Sequence, residues 1–154
     1  MSDRPEIVLR SGSLALTFFW CADRYQHRVS DGDSTRESVD SKALESPVYT
    51  DVHQQGDVLF ASGLSGDSHW SASVQPEGVG FQFDVACRVK SEIPGPASLY
   101  RGHGLCIEAE DAGEAATIVE QANGGAVWLI RAREQTNNQT PRTLRYRYFL
   151  GRAL

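Results

Sequence analysis

Val79-Gly80-Phe81-Gln82-Phe83-Asp84-Val85-Ala86-Cys87-Arg88-Val89-Lys90 alternates without a break: every odd position is apolar, and the even positions carry Gly, Gln, Asp, Ala, Arg and Lys. A period of two places successive side chains on opposite faces of a strand, so this stretch predicts one face on a core and one in water. Upstream, Trp70, Ala72 and Val74 alternate with His69, Ser71 and Ser73. Between the two runs lies Gln75-Pro76-Glu77-Gly78, with proline and glycine where a tight type I turn favours them. A four-residue loop there predicts a hairpin pairing Val74 with Val79, Ala72 with Phe81 and Trp70 with Phe83 on the buried face. On the other face it pairs Ser71 with Gln82 and His69 with Asp84. A slip of one residue would turn a whole apolar set into water.

Working outward, residues 6–10 and 13 onward read as an N-terminal hairpin across Ser11-Gly12, its second strand running long through Leu14, Leu16, Phe18 and Trp20 toward Val29. Residues 48–53 and 58–62 read as a pair joined around Gln55-Gly56-Asp57, and 105–108, 127–133 and 142–150 as further strands. Turn signals every 8 to 12 residues or so predict an all-β fold, an antiparallel barrel or sandwich of consecutive hairpins with at most one or two short helices.

Two segments stand apart. Residues 31–47 are polar and rich in serine and aspartate, and read as a mobile loop within a single β domain spanning 1–154; Ser34-x-x-Glu37 is a capping box for a short helix. In 111–123, Asp111-x-x-Glu114 would cap a helix with Ala115, Ile118, Val119 and Ala122 on one face. Thr117-Ile118-Val119 and the turn pair Asn123-Gly124 favour a hairpin instead, and the β neighbours decide for the hairpin.

Composition sets the frame. With 154 residues, 40% hydrophobic and 23% charged, the chain is the size of one domain and is not of disordered type. The longest apolar run, 14–22, is too short to span a bilayer, and the polar 1–6 lacks the pattern of a secretory signal, so a cytoplasmic protein without membrane contact is expected. Cys21, Cys87 and Cys106 are odd in number and form no CxxC pair, which argues against a disulfide framework or a structural zinc site and for small buried residues.

The sequence contains no GxSxG, GxxxxGK[ST], GxGxxG or HExxH. His27, His53, His69 and His103, with Asp23, Asp51, Asp57 and Asp84, are the residues from which a metal site in a barrel mouth would be drawn, but none has HxH or HxxxH spacing; no metal and no cofactor is expected. The His69–Asp84 juxtaposition has the chemistry of an orienting carboxylate and a general base, and reads here as a polar cross-strand pair. Trp20, Trp70, Trp128, Phe18, Phe81 and Phe83 read as core, with an internal ligand cavity as the other use of the same rings.

Charge is the last signal. The net charge of −5 argues against nucleic-acid binding by a basic surface, yet residues 131–154 hold six arginines (131, 133, 142, 145, 147, 152) against Glu134, a local +5 that leaves −10 for the rest of the chain. If 127–133 and 142–150 pair, Arg131 falls opposite Arg145, and like charges so placed need a counter-charge. That charge is internal (Glu108, Glu110 or Glu120) or external: phosphate, a carboxylate ligand or an acidic partner. Tyr146 and Tyr148 alternate with Arg145 and Arg147, giving one basic and one aromatic face. The expectation is a non-enzymatic binding or interaction module contacting a small anionic ligand or an acidic protein partner. Arg131, Arg145, Arg147, His69 and Asp84 are its candidate binding residues. The alternatives are a β-barrel with an internal small-molecule or metal site, catalytic or purely binding, and a homo-oligomer joined through exposed edge strands.

Overall fold

The period of two is realised along nearly the whole chain. A computed structural model describes residues 4–40, 44–91, 95–110, 117–122, 127–133 and 140–153. Its strands are β1 (Ile7–Ser11), β2 (Leu14–Cys21), β3 (Arg24–Ser30), β4 (Thr35–Val39), β5 (Asp51–Gln55), β6 (Val58–Ser65), β7 (Ser68–Pro76), β8 (Gly80–Val89), β9 (Ala97–His103), β10 (Cys106–Glu110), β11 (Thr117–Ala122), β12 (Val127–Ala132) and β13 (Arg142–Gly151). They form a seven-stranded sheet, β1-β2-β3-β4-β9-β12-β11, and a six-stranded sheet, β10-β13-β8-β7-β6-β5. All ladders are antiparallel, and both sheets end in open edges, so the fold is sandwich-like and not a closed barrel. Among the described residues there is no helix, and none long and apolar enough to cross a membrane.

The inward sets interdigitate between the sheets. Leu14, Leu16, Phe18 and Val29 from one side meet Trp70, Phe81, Phe83, Val85, Tyr146 and Tyr148 from the other, all buried. Cys87 belongs to this core, whereas Cys21 is exposed and Cys106 half-buried, so only one cysteine is the buried filler expected of all three. Trp20 and Trp128 are only partly buried; Arg4 lies over the first ring and Arg36 over the second.

The β7–β8 hairpin keeps the expected faces but not the expected register. Trp70 pairs with Cys87, Ala72 with Val85, Val74 with Phe83 and Pro76 with Phe81. Each partner is displaced by four residues, an even number, so every apolar side chain stays inward. Alternation forbids odd slips and is silent on even ones. The turn made the difference. Glu77 N–H donates to the Gly80 carbonyl at 3.0 Å, closing a two-residue loop, Gly78-Val79, with Gly78 at φ 57°. Glycine at the first central position suits a tight II′ hairpin, which draws Gln75 and Pro76 into the strand.

Other expectations change for local reasons. The long second strand breaks at Ala22, which has φ 61°, and β3 folds back on β2. The polar stretch expected to be a mobile loop, with a helix after Ser34, contributes β4 instead, which joins β3 to β9. β9 was not expected at all. β11 pairs with β12, as the hairpin reading requires, while 111–116 and 123–126 lie outside the described residues. β12 and β13 do not pair: they lie in different sheets.

One connection spans the two sheets. Tyr25 N–H donates to the Tyr49 carbonyl at 2.7 Å, and Thr50 N–H to the Ser62 carbonyl at 2.9 Å, so 49–50 are tied to β3 on one side and β6 on the other.

Candidate functional site

The even positions of β8 face outward, and the antiparallel registers carry their row across the whole six-stranded sheet. His53, Phe60, Ser73, Asp84, Arg147 and Glu110 stand in one line from β5 to β10. The next line holds Asp51, Ser62, Ser71, Ala86 and Arg145. Small side chains in the middle of both lines leave a hollow. One depression of about 400 Å³ is lined by Phe60, Ser71, Ser73, Asp84, Ala86, Thr143 and Arg145. A second, about 360 Å³, is lined by His53, Gln55, Phe60, Ser62 and Ser71. They share Phe60 and Ser71 and make one open trough.

At the β5 side, Phe60 is 36% exposed and stacks on His53, with centroids 5.4 Å apart and 25° between planes. At the β13 side, Arg145 grips Asp84 with both edges: Nε donates to Oδ1 at 2.9 Å and Nη2 to Oδ2 at 2.6 Å. This bidentate bond raises the pKa of Arg145 above its ordinary value, so it stays charged. Arg147 shares the same carboxylate from farther away, its Nε 3.9 Å from Oδ2, and that buried Nε has no hydrogen-bond partner among the described residues. One carboxylate therefore serves two guanidiniums. Arg88 adds a third on the same face, donating to Thr143 Oγ1 at 3.2 Å.

In the adjoining line Gln82 stands between Gln75 and Phe149, and although it points away from the core it is only 4% exposed. Both polar atoms of its amide lack a partner among the described residues. The ring of Phe149 covers this end of the sheet, lying against Gly80 and Gly151, where no side chain obstructs it.

Of the residues singled out in the sequence, Asp84, Arg145 and Arg147 come together. His69 does not join them: the register sets it against Leu64 and Arg88, not Asp84. Arg131 lies in the other sheet, beside Ala97 and Ile118, with Nε 2.9 Å from Glu120 Oε1. Its expected juxtaposition with Arg145 fails because β12 and β13 are not neighbours, and the internal counter-charges are Glu120 and Asp84. Phe60, Ser71 and Ser73 supply much of the trough. Phe60 was hidden because Val58-Leu59-Phe60-Ala61 is apolar throughout, so its outward turn leaves no alternation to read.

His27 is buried, and its Nε2 lies 2.5 Å from the Tyr100 hydroxyl, which meets that of Tyr148. Burial pushes the imidazole down to about pKa 3, keeping it neutral. The void beside it measures about 10 Å³, no more than one water molecule needs. Among the described residues no three His, Cys, Asp or Glu side chains converge as metal ligands would.

Comparison with protein-family models, with curated proteins and with solved structures found no match. The chemistry of the outer face is therefore read from its own residues.

Proposed function

We propose that the chain is a non-enzymatic binding module that holds an anionic group on the outer face of its six-stranded sheet. The observation that carries this reading is the sharing of Asp84 by Arg145 and Arg147. Arg145 spends its fork on the carboxylate, whereas Arg147, with its side chain 36% exposed, remains available to a second anion. A carboxylate or phosphate placed beside it would make the charge-assisted hydrogen bonds that Asp84, 3.9 Å from its Nε, does not make. A hydrolytic reading finds less support, because Ser71 and Ser73 face Ala86 and Asp84 across β8 and have no histidine opposite them.

Thermal unfolding at low salt with phosphate, sulfate and small carboxylates tests the proposal. An anion at 100 times its dissociation constant is expected to stabilise the wild type by about 2.7 kcal/mol. Arg147→Ala should abolish that gain, and Arg131→Ala, in the other sheet, should keep it. If no anion shifts the transition, or if Arg131→Ala is the variant that loses the shift, the proposal fails.

A further inference from the structure

Resting on that reading, we infer that the anion recognised here is part of an acidic oligosaccharide lying along the trough, stacked on Phe60 and held by its carboxylate at Arg147. The trough has length. The hollow runs from His53 on β5 to Arg145 on β13, and Arg147 flanks it beyond Asp84, in the same line as Phe60 and three strands away, roughly 14 Å at about 4.8 Å per strand spacing. That matches a short chain of sugar rings and exceeds any single small anion. The hollow is open along its course, as a chain entering from the side requires.

Each part of the trough suits one part of such a ligand. Phe60, held flat by His53, offers a negative ring face to the weakly positive C–H face of a pyranose. Ser62, Ser71 and Ser73 form a floor of hydroxyls, which donate and accept as sugar hydroxyls do, on side chains small enough to allow close approach. The Asp84–Arg145 pair is locked, so acceptor and donor edges are preset beside that floor. Arg147 lies one strand beyond Asp84, at the far end from the ring.

Other anionic polymers fit less well. An extended peptide binds sheets through unpaired backbone groups at an edge. Here β6, β7, β8 and β13 each have a strand on both sides, and the trough lies over the face. Nucleic acid would need a longer run of cations than Arg88, Arg145 and Arg147 on a chain of net charge −5.

The test is calorimetric titration of the full chain with three probes: a galacturonic acid trimer, its methyl ester and triglutamate. The acidic trimer is expected to bind at least tenfold more tightly than the other two. Phe60→Ala and Arg147→Ala should each weaken it at least tenfold while leaving circular dichroism unchanged, and Ser71→Trp, which fills the floor, should abolish it. Should Phe60→Ala lose its fold, His53→Ala must reproduce the loss of affinity. Triglutamate binding equal to the trimer, with Phe60→Ala neutral, would overturn the sugar inference and leave anion recognition standing. Tighter binding of the methyl ester would overturn the inference and the anion reading together, as would no binding by any probe accompanied by no thermal shift with any simple anion.

Discussion

The imidazole of His27 and the phenol of Tyr100, both on the inner face of the seven-stranded sheet, share a 2.5 Å hydrogen bond, and the Tyr100 hydroxyl extends it to Tyr148 on the six-stranded sheet. Phe18 stacks on one side of the imidazole, at 4.7 Å and 18°, and Phe83 lies 5.4 Å away. Polar atoms from both sheets thus meet in a shell of aromatic rings. Such a network ties the sheets in one alignment, because a buried hydroxyl displaced from its partner loses a hydrogen bond it cannot replace with water.

His27 gives the protein a pH dependence whose sign follows from burial. Its pKa lies at about 3 in the folded chain, below the ordinary 6.5 it regains on unfolding. Between those values the unfolded state binds the extra proton, so stability falls as the solution is acidified from pH 6.5 toward 3. The slope contributed is at most about 1.4 kcal/mol per pH unit. His27→Gln, which can still hydrogen-bond Tyr100 but does not titrate, should flatten the curve of unfolding free energy against pH across that window. An unchanged slope would show that the imidazole is already protonated in the fold.

The two faces of the six-stranded sheet should respond very differently to truncation. Phe83 is 2% exposed and stacked on Tyr148, at 4.8 Å and 5°. Phe83→Ala is expected to cost about 3–5 kcal/mol. His69→Ala, on the exposed side of β7, should cost no more than about 0.5 kcal/mol. Urea melts of both variants measure this, and the reverse order would mean that the faces are assigned wrongly.

Those faces were legible because Phe81, Phe83, Val85, Cys87 and Val89 alternate, and alternation is a local property of one strand. Register was not, because a displacement of four between β7 and β8 conserves the same burial, and the short loop at Gly78-Val79 decided it. Strand order is less local still. Arg131 and Arg145 are close in sequence and lie in different sheets, since β9 takes the place beside β12 and β8 the place beside β13. β4 was missed because its residues, Thr35 to Val39, are mostly polar and half-buried, and it is held by its neighbours' backbones more than by an apolar face. The trough inherits that limit. Arg145, Arg147 and Asp84 announced themselves by charge, but their convergence depended on a register the sequence left open, and Phe60 had no polar neighbour to reveal its outward turn.

Gly63 tests the connection between the sheets. It has no positive φ, so its need for glycine is spatial: a Cβ there would overlap the Val48 carbonyl and press on Thr50 N. Both are backbone atoms of the tied segment and have no rotamer to yield. Gly63→Ala is therefore expected to destabilise by about 1–3 kcal/mol, as overpacking does, and to speed amide exchange at Tyr25 and Thr50. Normal stability with unchanged exchange would mean that 48–50 does not press against β6.

Gln82 offers a substitution expected to gain stability. Its amide is buried on the outer face of β8 with neither polar atom bonded among the described residues, and an unsatisfied buried polar group costs about 1–3 kcal/mol in lost hydration. Methionine has similar length and flexibility, no demanding donor, and can fill the same space beside Phe149. Gln82→Met should raise the urea midpoint without changing the slope, corresponding to a gain of about 1 kcal/mol. Because the amide atoms are covered, affinity for the acidic trimer should stay within about twofold of wild type, in contrast to Arg147→Ala one residue pair away. A loss of stability in Gln82→Met would show that the amide is satisfied in the folded protein. A loss of affinity without loss of stability would show that it reaches the ligand, placing Gln82 within the binding surface and extending the trough toward Phe149.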